Sequence, residues 1–319
     1  MPNIGFTRHG GLGDGVVATA IVESIKEKYP DDKITGYIAG SVREVFKGNG
    51  RVVEAEYEEV SGVLTEDLIR GKYPWDLFFD LKPIPGVFFC PDFGNLTEKQ
   101  KDWQGQLKGF SYPDDIRLLE QFGLRQIEFI CEVLDLPVKN PIWNKFSRIN
   151  HLYSNKGFYN QNPTPEPLTY VTLGNEAWGQ CQTKSYPFWD RIIPHIGLPV
   201  YQLGAQRQET IPGAINKTGE LALWESCQLV CNAKYHLGIE GFFGHFCEIW
   251  KIPRIIFFGP TSDIFFSYES EVVISNKECR NCQWLSGNWM NFCPKGYSYL
   301  ERPCVLGLEE KIIESINHL

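Results

Sequence analysis

Twice along this chain a short apolar run leads through a turn into a segment whose apolar positions recur every three to four residues. The first instance opens with Asn3–Thr7, a short strand, and a turn over Gly10-Gly11-Leu12-Gly13-Asp14. From Asp14 to Tyr29 the positions Val17, Ala20, Ile21, Ser24 and Ile25 fall on one helical face, and Pro30 ends the run. Lys33–Ala39 and Leu77–Leu81 read as further strands. The second instance starts after Asn155–Pro167, a stretch rich in Asn and Pro that reads as a linker. Leu168–Leu173 is a strand, Gly174–Lys184 a loop and Pro187–Ile196 a helix. Strands follow at Val200–Leu203, Tyr235–Ile239 and Arg254–Phe258, with helices at Ala222–Cys231, Gly244–Trp250 and Leu308–His318.

Strands alternating with helices predict an α/β architecture with parallel, helix-covered sheets. Two such series in 319 residues predict two Rossmann-like domains, residues 1–155 and 168–307, followed by a terminal helix over 308–319. Two domains of this kind leave a cleft where ligands meet the C-terminal ends of the strands.

Composition narrows the class. The chain is 43% apolar and 22% charged, enough for ordinary cores, and its net charge is −8 with no long basic run. Broad nucleic-acid binding is therefore disfavoured. No stretch approaches the roughly 20 apolar residues of a membrane span. The N-terminal MPNIGFTRHGGLGDG lacks a basic region followed by an apolar one, so the expected location is cytoplasmic. Six of the ten cysteines are scattered singly through apolar segments, unlike a secreted disulfide framework.

The first turn, Gly10-Gly11-Leu12-Gly13-Asp14-Gly15, suits close approach of an anionic ligand to a helix N-terminus. It does not make the dinucleotide fingerprint, because Val16 stands where the third glycine is required, and Gly36-Tyr37-Ile38-Ala39 offers no ribose-binding acid. Asp14 suits two compatible roles, capping the helix and accepting a proton. The remaining four cysteines form a set of their own. Cys279-x2-Cys282 is followed by Cys293 and Cys304, each after ten residues, among Gly287, Pro294, Gly296 and Pro303. Four thiolates match a closed structural Zn or Fe site, with free thiols or disulfides as the other readings.

Three segments carry a family resemblance. GLGDGVVATAIVESIKEKYP is similar to the opening of the ADP-heptose lipopolysaccharide heptosyltransferases, glycosyltransferase family 9. Thr183-Lys184-Ser185-Tyr186-Pro187 resembles their Lys-x-Trp-Pro motif, with Tyr186 replacing Trp. Gly238–Thr261, GIEGFFGHFCEIWKIPRIIFFGPT, resembles their donor-binding segment, G-x-D-[ST]-G-x-x-H followed by a strand ending F-G-P-T. Between Lys47 and Pro163 long stretches carry no resemblance.

The resemblance implies the GT-B architecture, two facing Rossmann-like domains, with inverting sugar transfer from a nucleoside-diphosphate donor and no catalytic metal. It implies Asp14 as general base and Lys184 on the donor phosphates. Glu240 takes the place of an acid that contacts the sugar, with His245 beside it, and Gly241 and the turn glycines Gly11 and Gly13 stand at backbone approaches to the donor. The terminal helix is then expected to pack back across the first domain, and some relatives carry cysteines where Cys279–Cys304 lie. Glu240 stands for the usual Asp and Gly241-Phe242 for Thr-Gly, which reshapes the sugar pocket and leaves heptose or another hexose-like sugar open. The acceptor is equally open among a glycan, a lipopolysaccharide core and a protein. The aromatic-rich stretch Tyr73–Trp103 is expected on the acceptor side. Another nucleotide-sugar enzyme such as an epimerase, and a transferase-like binding protein without turnover, are the alternatives.

Overall fold

A computed structural model describes residues 3–46, 53–54, 77–81, 102–103, 112–142, 168–177 and 181–319. The expected linker at 155–167 and most of the aromatic stretch 73–103 lie outside the described residues. The chain divides into two compact units, Met1–Ser111 with Gln126–Lys145, and Tyr112–Arg125 with Phe146–Leu319. Helix α3 (Tyr112–Gln121) thus belongs to the second unit and α4 (Gln126–Val133) to the first. Among the described residues no helix is long and apolar enough to cross a membrane.

In the first unit, strands β1 (Asn3–Gly10), β2 (Lys33–Gly40), β3 (Val53–Glu54) and β4 (Leu77–Asp80) form a sheet in the order β3-β2-β1-β4, every pair parallel. Helix α1 (Leu12–Lys28) connects β1 to β2 and is buried on every side from Gly15 to Val22. The short helix α2 (Val42–Phe46) follows β2. Gly15 permits α2 to lie this close to α1: a Cβ there would stand 2.9 Å from Val45 Cγ2 and 3.3 Å from the Val42 backbone. The far end of α1 rests near α4, where Ser24 Oγ lies 3.5 Å from Cys131 Sγ.

The second unit holds a larger parallel sheet, built from β5 (Val171–Gly174), β6 (Val200–Leu203), β7 (Ile215–Asn216), β8 (His236–Ile239), β9 (Arg254–Phe258) and β10 (Val272–Ser275). Its order is β10-β9-β8-β5-β6-β7. The chain steps outward from β5 to β7, then returns to lay β8 on the other side of β5 and steps outward again. Such a reversal leaves a crevice between the carboxyl ends of the two central strands. Helices α5 (Trp189–Ile192), α6 (Leu223–Asn232), α7 (Phe242–Trp250) and α8 (Glu309–Asn317) complete the unit. Tyr186, Trp189, Leu237, Phe257, Val305, Ile312 and Ile316 share its core.

The terminal helix α8 packs into the second unit. Ile312 and Ile316 lie one turn apart, and both are buried in the core of the second unit, while Glu309 pairs with Arg191 Nη1 at 2.9 Å. The apolar stripe of α8 is thereby spent on its own sheet. The segment that the first half of the chain does lend to the second unit is α3, through Glu120, whose carboxylate accepts bonds from Ser262 Oγ, Arg280 Nη1 and Asn281 Nδ2.

At the reversal the strands meet through glycine. Gly174 is in register with Gly238, and a Cβ on Gly238 would lie 2.9 Å from the Gly174 carbonyl oxygen and 2.7 Å from His236 Nε2. His236 is fully buried beneath them with Nδ1 3.0 Å from Thr172 Oγ1, and burial, with the Arg254 charge added, pushes its pKa down to about 3. It is therefore a neutral filler of the sheet. Gly238→Ala has no free space to enter, so the expected cost is about 1–3 kcal/mol of stability, measurable by urea denaturation.

Candidate functional site

The crevice at the β5–β8 reversal is furnished by residues that follow the two strands. Asn175, one residue past β5, staples the returning loop: its Oδ1 accepts the Tyr186 N–H at 3.0 Å and its Nδ2 donates to the Tyr186 carbonyl at 3.2 Å. Tyr186 is fully buried, with ring centroids 5.0 Å from both Trp189 and Phe257. The aromatic of the Lys-x-aromatic-Pro pattern is thus an anchor in the core, two residues from the lysine it helps to place. A large ring with specific edge contacts does this whether it is Trp or Tyr.

Lys184 meets Glu240, the first residue after β8, through an ion pair between Nζ and Oε2. Their side chains are 16% and 9% exposed, so the pair is largely withdrawn from water. His245, in the first turn of α7, turns Nε2 toward the other carboxylate oxygen at 3.8 Å, and its Nδ1 lies 2.8 Å from the Tyr268 hydroxyl. Gly241 occupies the N-cap of α7 in an extended conformation. The structure therefore brings Lys184, Glu240, Gly241 and His245 into one neighbourhood and adds Tyr268, which carries no sequence signal beyond being one of fourteen tyrosines. Burial would raise the Glu240 carboxyl, but the Lys184 ammonium and the contact with His245 outweigh it and bring the pKa down to about 2.

Beside this group, on the β5–β6 side, lies a cavity of about 720 Å³ lined by Asn175, Gln182, Ser185, Gln206, Arg207 and Tyr299 among others. Its far wall, the loop after β6, is firmly tied. Gln202 Oε1 accepts the Ile211 N–H at 2.9 Å, Thr218 Oγ1 accepts the Gln208 N–H at 2.9 Å, and Gln202 Nε2 donates to the Glu209 carbonyl at 3.0 Å. Gly219, with φ +68°, lets this loop fold down, since a Cβ there would stand 2.6 Å from the Arg207 nitrogen.

In the first unit the glycine turn is organised around Asp14. Helix α1 begins at Leu12 with Gly11 as its N-cap, so Asp14 lies inside the first turn. Its carboxylate reaches back to the Gly11 N–H at 2.8 Å and pairs with Arg8 Nη2. Gly10 has φ +143°, and a Cβ there would collide with Asp14 Oδ2 at 2.3 Å, so the glycine makes room for the carboxylate. Gly13 lies half-buried in the same turn. Arg8 continues β1 past the Thr7 boundary read from the sequence, and nothing in the local pattern marked it as the partner of Asp14.

Cys279, Cys282 and Cys304 are buried and Cys293 is half-buried, all as free thiols. Burial, reinforced by charge on Cys279 and Cys293, pushes Cys282 up to about 11, and Cys304 likewise rises to about 12. Lys295 Nζ lies 3.7 Å from Cys279 Sγ. Among the described residues no group of three or more His, Cys, Asp or Glu side chains is arranged to hold a metal ion.

No protein-family model matches the sequence, and no curated protein is similar to it in sequence. Solved structures are similar in fold. The glycosyl transferase family 9 protein from Veillonella parvula aligns over 99% of this chain and 96% of its own at 15% identity, with a TM-score of 0.61. E. coli ADP-heptose lipopolysaccharide heptosyltransferase II aligns over 99% and 98% at 15% identity, with a TM-score of 0.59. The iron-containing dodecameric glycosyltransferase TibC from enterotoxigenic E. coli aligns over 99% and 76% at 14% identity, with a TM-score of 0.58. At these identities the likeness is one of fold, and it extends over essentially the whole chain.

The low pKa of Glu240 has a consequence for stability. A glutamate that titrates near 4.5 in the unfolded chain and near 2 when folded favours the native state above about pH 5, and that advantage is lost as pH falls through both values. The lead of the wild type over Glu240→Gln in urea midpoint is expected to be constant above about pH 5 and to shrink steadily from there toward pH 2. A difference that stays level across that range would mean that the pair does not hold the proton off.

Proposed function

We propose that this protein is an inverting glycosyltransferase of the heptosyltransferase type, moving a sugar from a nucleoside-diphosphate donor to an acceptor hydroxyl. The observation that carries this reading is the buried Lys184–Glu240 pair with His245, set at the strand reversal of a Rossmann-like unit beside a cavity of about 720 Å³. The fold likeness to known sugar-nucleotide transferases supports it. In this reading the cavity takes the nucleoside and the diphosphate lies toward Lys184 and the N-terminus of α7, where the Gly241 backbone and the helix end favour an anion.

The donor and Glu240 compete for one ammonium. Without a ligand Lys184 is held by the carboxylate. A diphosphate brings more negative charge, draws the ammonium, and leaves Glu240 as an ionised acceptor for hydroxyls of the sugar. His245, held at Nδ1 by Tyr268, keeps Nε2 directed at that carboxylate. Asp14 of the first unit takes the proton from the acceptor hydroxyl, the freed oxygen forms the new bond to the anomeric carbon, and the bond from that carbon to the diphosphate oxygen breaks with inversion. Lys184 stabilises the charge that the leaving diphosphate gains. The geometry suits Asp14 to proton abstraction, because two bonds fix the carboxylate, yet its side chain remains 36% exposed. Gly11 and Gly13 give the same turn a backbone that a donor or acceptor group can approach closely.

The donor sugar is heptose or a hexose-like sugar, and the acceptor is a glycan, a lipopolysaccharide core or a protein, with nucleic acid disfavoured by the acidic charge. We also propose that Cys279, Cys282, Cys293 and Cys304 hold a structural Zn or Fe ion. Three buried thiols and a fourth half-buried one, with Cys282 and Cys304 made harder to ionise by burial and by neighbouring thiols, are a donor set whose charge a metal would neutralise. Such an ion tethers the loop and takes no part in transfer. The assignment is compatible with a cytoplasmic protein, where thiols stay reduced.

A thermal-shift panel of ADP-, GDP-, UDP- and CDP-sugars with their free diphosphates tests the donor reading. At a hundred times its dissociation constant the right donor is expected to stabilise the protein by about 2.7 kcal/mol. With that donor, Asp14→Asn is expected to keep the shift and lose transfer by at least about a hundredfold. Absence of any shift from folded protein would overturn the reading, and near-normal turnover in Asp14→Asn would overturn the base assignment alone. For the cysteines, protein purified without added metal is expected to carry about one ion per chain by elemental analysis, and a value near zero would remove the metal.

A further inference from the structure

The loop that presents Lys184 is held from behind by the cysteine-bearing segment. Three contacts converge on the residues flanking the lysine. The Thr183 N–H donates to the Met290 carbonyl at 3.2 Å. Arg302 then spans the lysine with its guanidinium: Nη1 donates to the Thr183 carbonyl and Nη2 to the Ser185 carbonyl at 3.1 Å. Its Nε is occupied by the Tyr299 carbonyl at 2.9 Å, and its plane lies 4.6 Å from the Tyr299 ring. Arg302 is 2% exposed, and no described carboxylate pairs with it.

A buried cation without a carboxylate partner is costly unless its hydrogen bonds are fully used. Here the planar fork is used on two backbone carbonyls, one on either side of Lys184, a grip that the single ammonium of a lysine cannot reproduce. The Thr183 carbonyl also lies close to Gly259, where a Cβ would stand 3.0 Å from it. The glycine after β9 therefore lets the loop seat against that strand end while Arg302 locks it. Tyr299, which Arg302 holds, lines the neighbouring cavity.

We propose that Arg302 is the positioning residue for Lys184, and that the cysteine-bearing segment serves the donor site by fixing the Lys184 loop. The inference rests on the reading of Lys184 as the phosphate-binding residue. Its charge, left without a carboxylate partner among the described residues, also adds to the positive potential at that loop, which favours an anionic ligand.

The test uses the full chain with ADP and pyrophosphate as probes, and compares Arg302→Gln and Arg302→Lys in the wild-type and Lys184→Ala backgrounds. Affinity is expected to fall at least about tenfold on either Arg302 change with Lys184 present, and less than about twofold with Lys184 already removed, since coupled residues are non-additive. Lysine failing to rescue is expected of a fork and not of a simple charge. Hydrogen exchange in the ligand-free variants supplies a readout that needs no ligand: amides of 182–186 are expected to exchange at least about tenfold faster while those of β5 and β8 stay protected. Equal affinity losses in both backgrounds, rescue by lysine, or unchanged exchange at 182–186 would each overturn the proposal. A wild type that binds neither probe would count against the diphosphate reading, and the exchange comparison would still decide the role of Arg302.

Discussion

A lysine and a glutamate withdrawn from water at the end of a parallel sheet constrain most of what surrounds them. Taking both charges out of water costs several kcal/mol, and their attraction repays this only when geometry is tightly held. The second unit supplies that geometry from three directions. Glu240 is fixed by the end of β8, with its N–H on the Phe257 carbonyl at 3.0 Å. Lys184 is fixed by the Asn175 staple, the Tyr186 anchor and the Arg302 fork. The glycines of β5 and β8 keep the strand ends close enough for the two to meet. A pair held this way by its backbone, more than by its own attraction, is suited to exchange one partner for a ligand without the site collapsing.

The neighbouring charges show the contrast with an ion cluster that only stabilises. Arg254 is fully buried between Glu248, at 2.7 Å from Nη2, and Glu271, at 2.9 Å from Nε, with Ser270 also donating to Glu248. This cluster binds α7, β9 and the approach to β10 together. Glu240 has instead one cation and one histidine.

How far the sequence foretold this depends on whether the signal was local. Strands such as β8 and β9 are short, mostly apolar runs bounded by turns and loops, buried throughout, and their positions could be read directly. The central motif residues were legible because spacing ties them to strand ends: Glu240 follows β8 and His245 lies in the turn after it. What escaped was the partnering of distant segments. The amphipathic α3 could be a helix of either half, and only Glu120 meeting Ser262, Arg280 and Asn281 assigns it to the second unit. The stripe of α8 states that the helix is half-buried and is silent on which sheet buries it. Arg302, between Glu301 and Pro303 in a loop rich in punctuation, has no periodicity to announce that its guanidinium spans Lys184 from 118 positions away in the chain. The thiols were legible as a set from their spacing alone, and the folded loop brings Cys279, Cys282 and Cys293 into mutual electrostatic influence.

Glu240 and Gly241-Phe242, where the sequence departs from the motif it resembles, meet at the start of α7. Glutamate is one methylene longer than the aspartate it replaces, and its carboxylate spans from Lys184 to within 3.8 Å of His245. The residue two positions on is Phe242, whose ring lies 5.2 Å from Phe243 and 5.8 Å from Phe246. Phe243 in turn packs on His236 at 5.5 Å and occupies the space that a side chain on Gly174 would need. The aromatic group therefore fills the floor of the crevice beneath the end of β5.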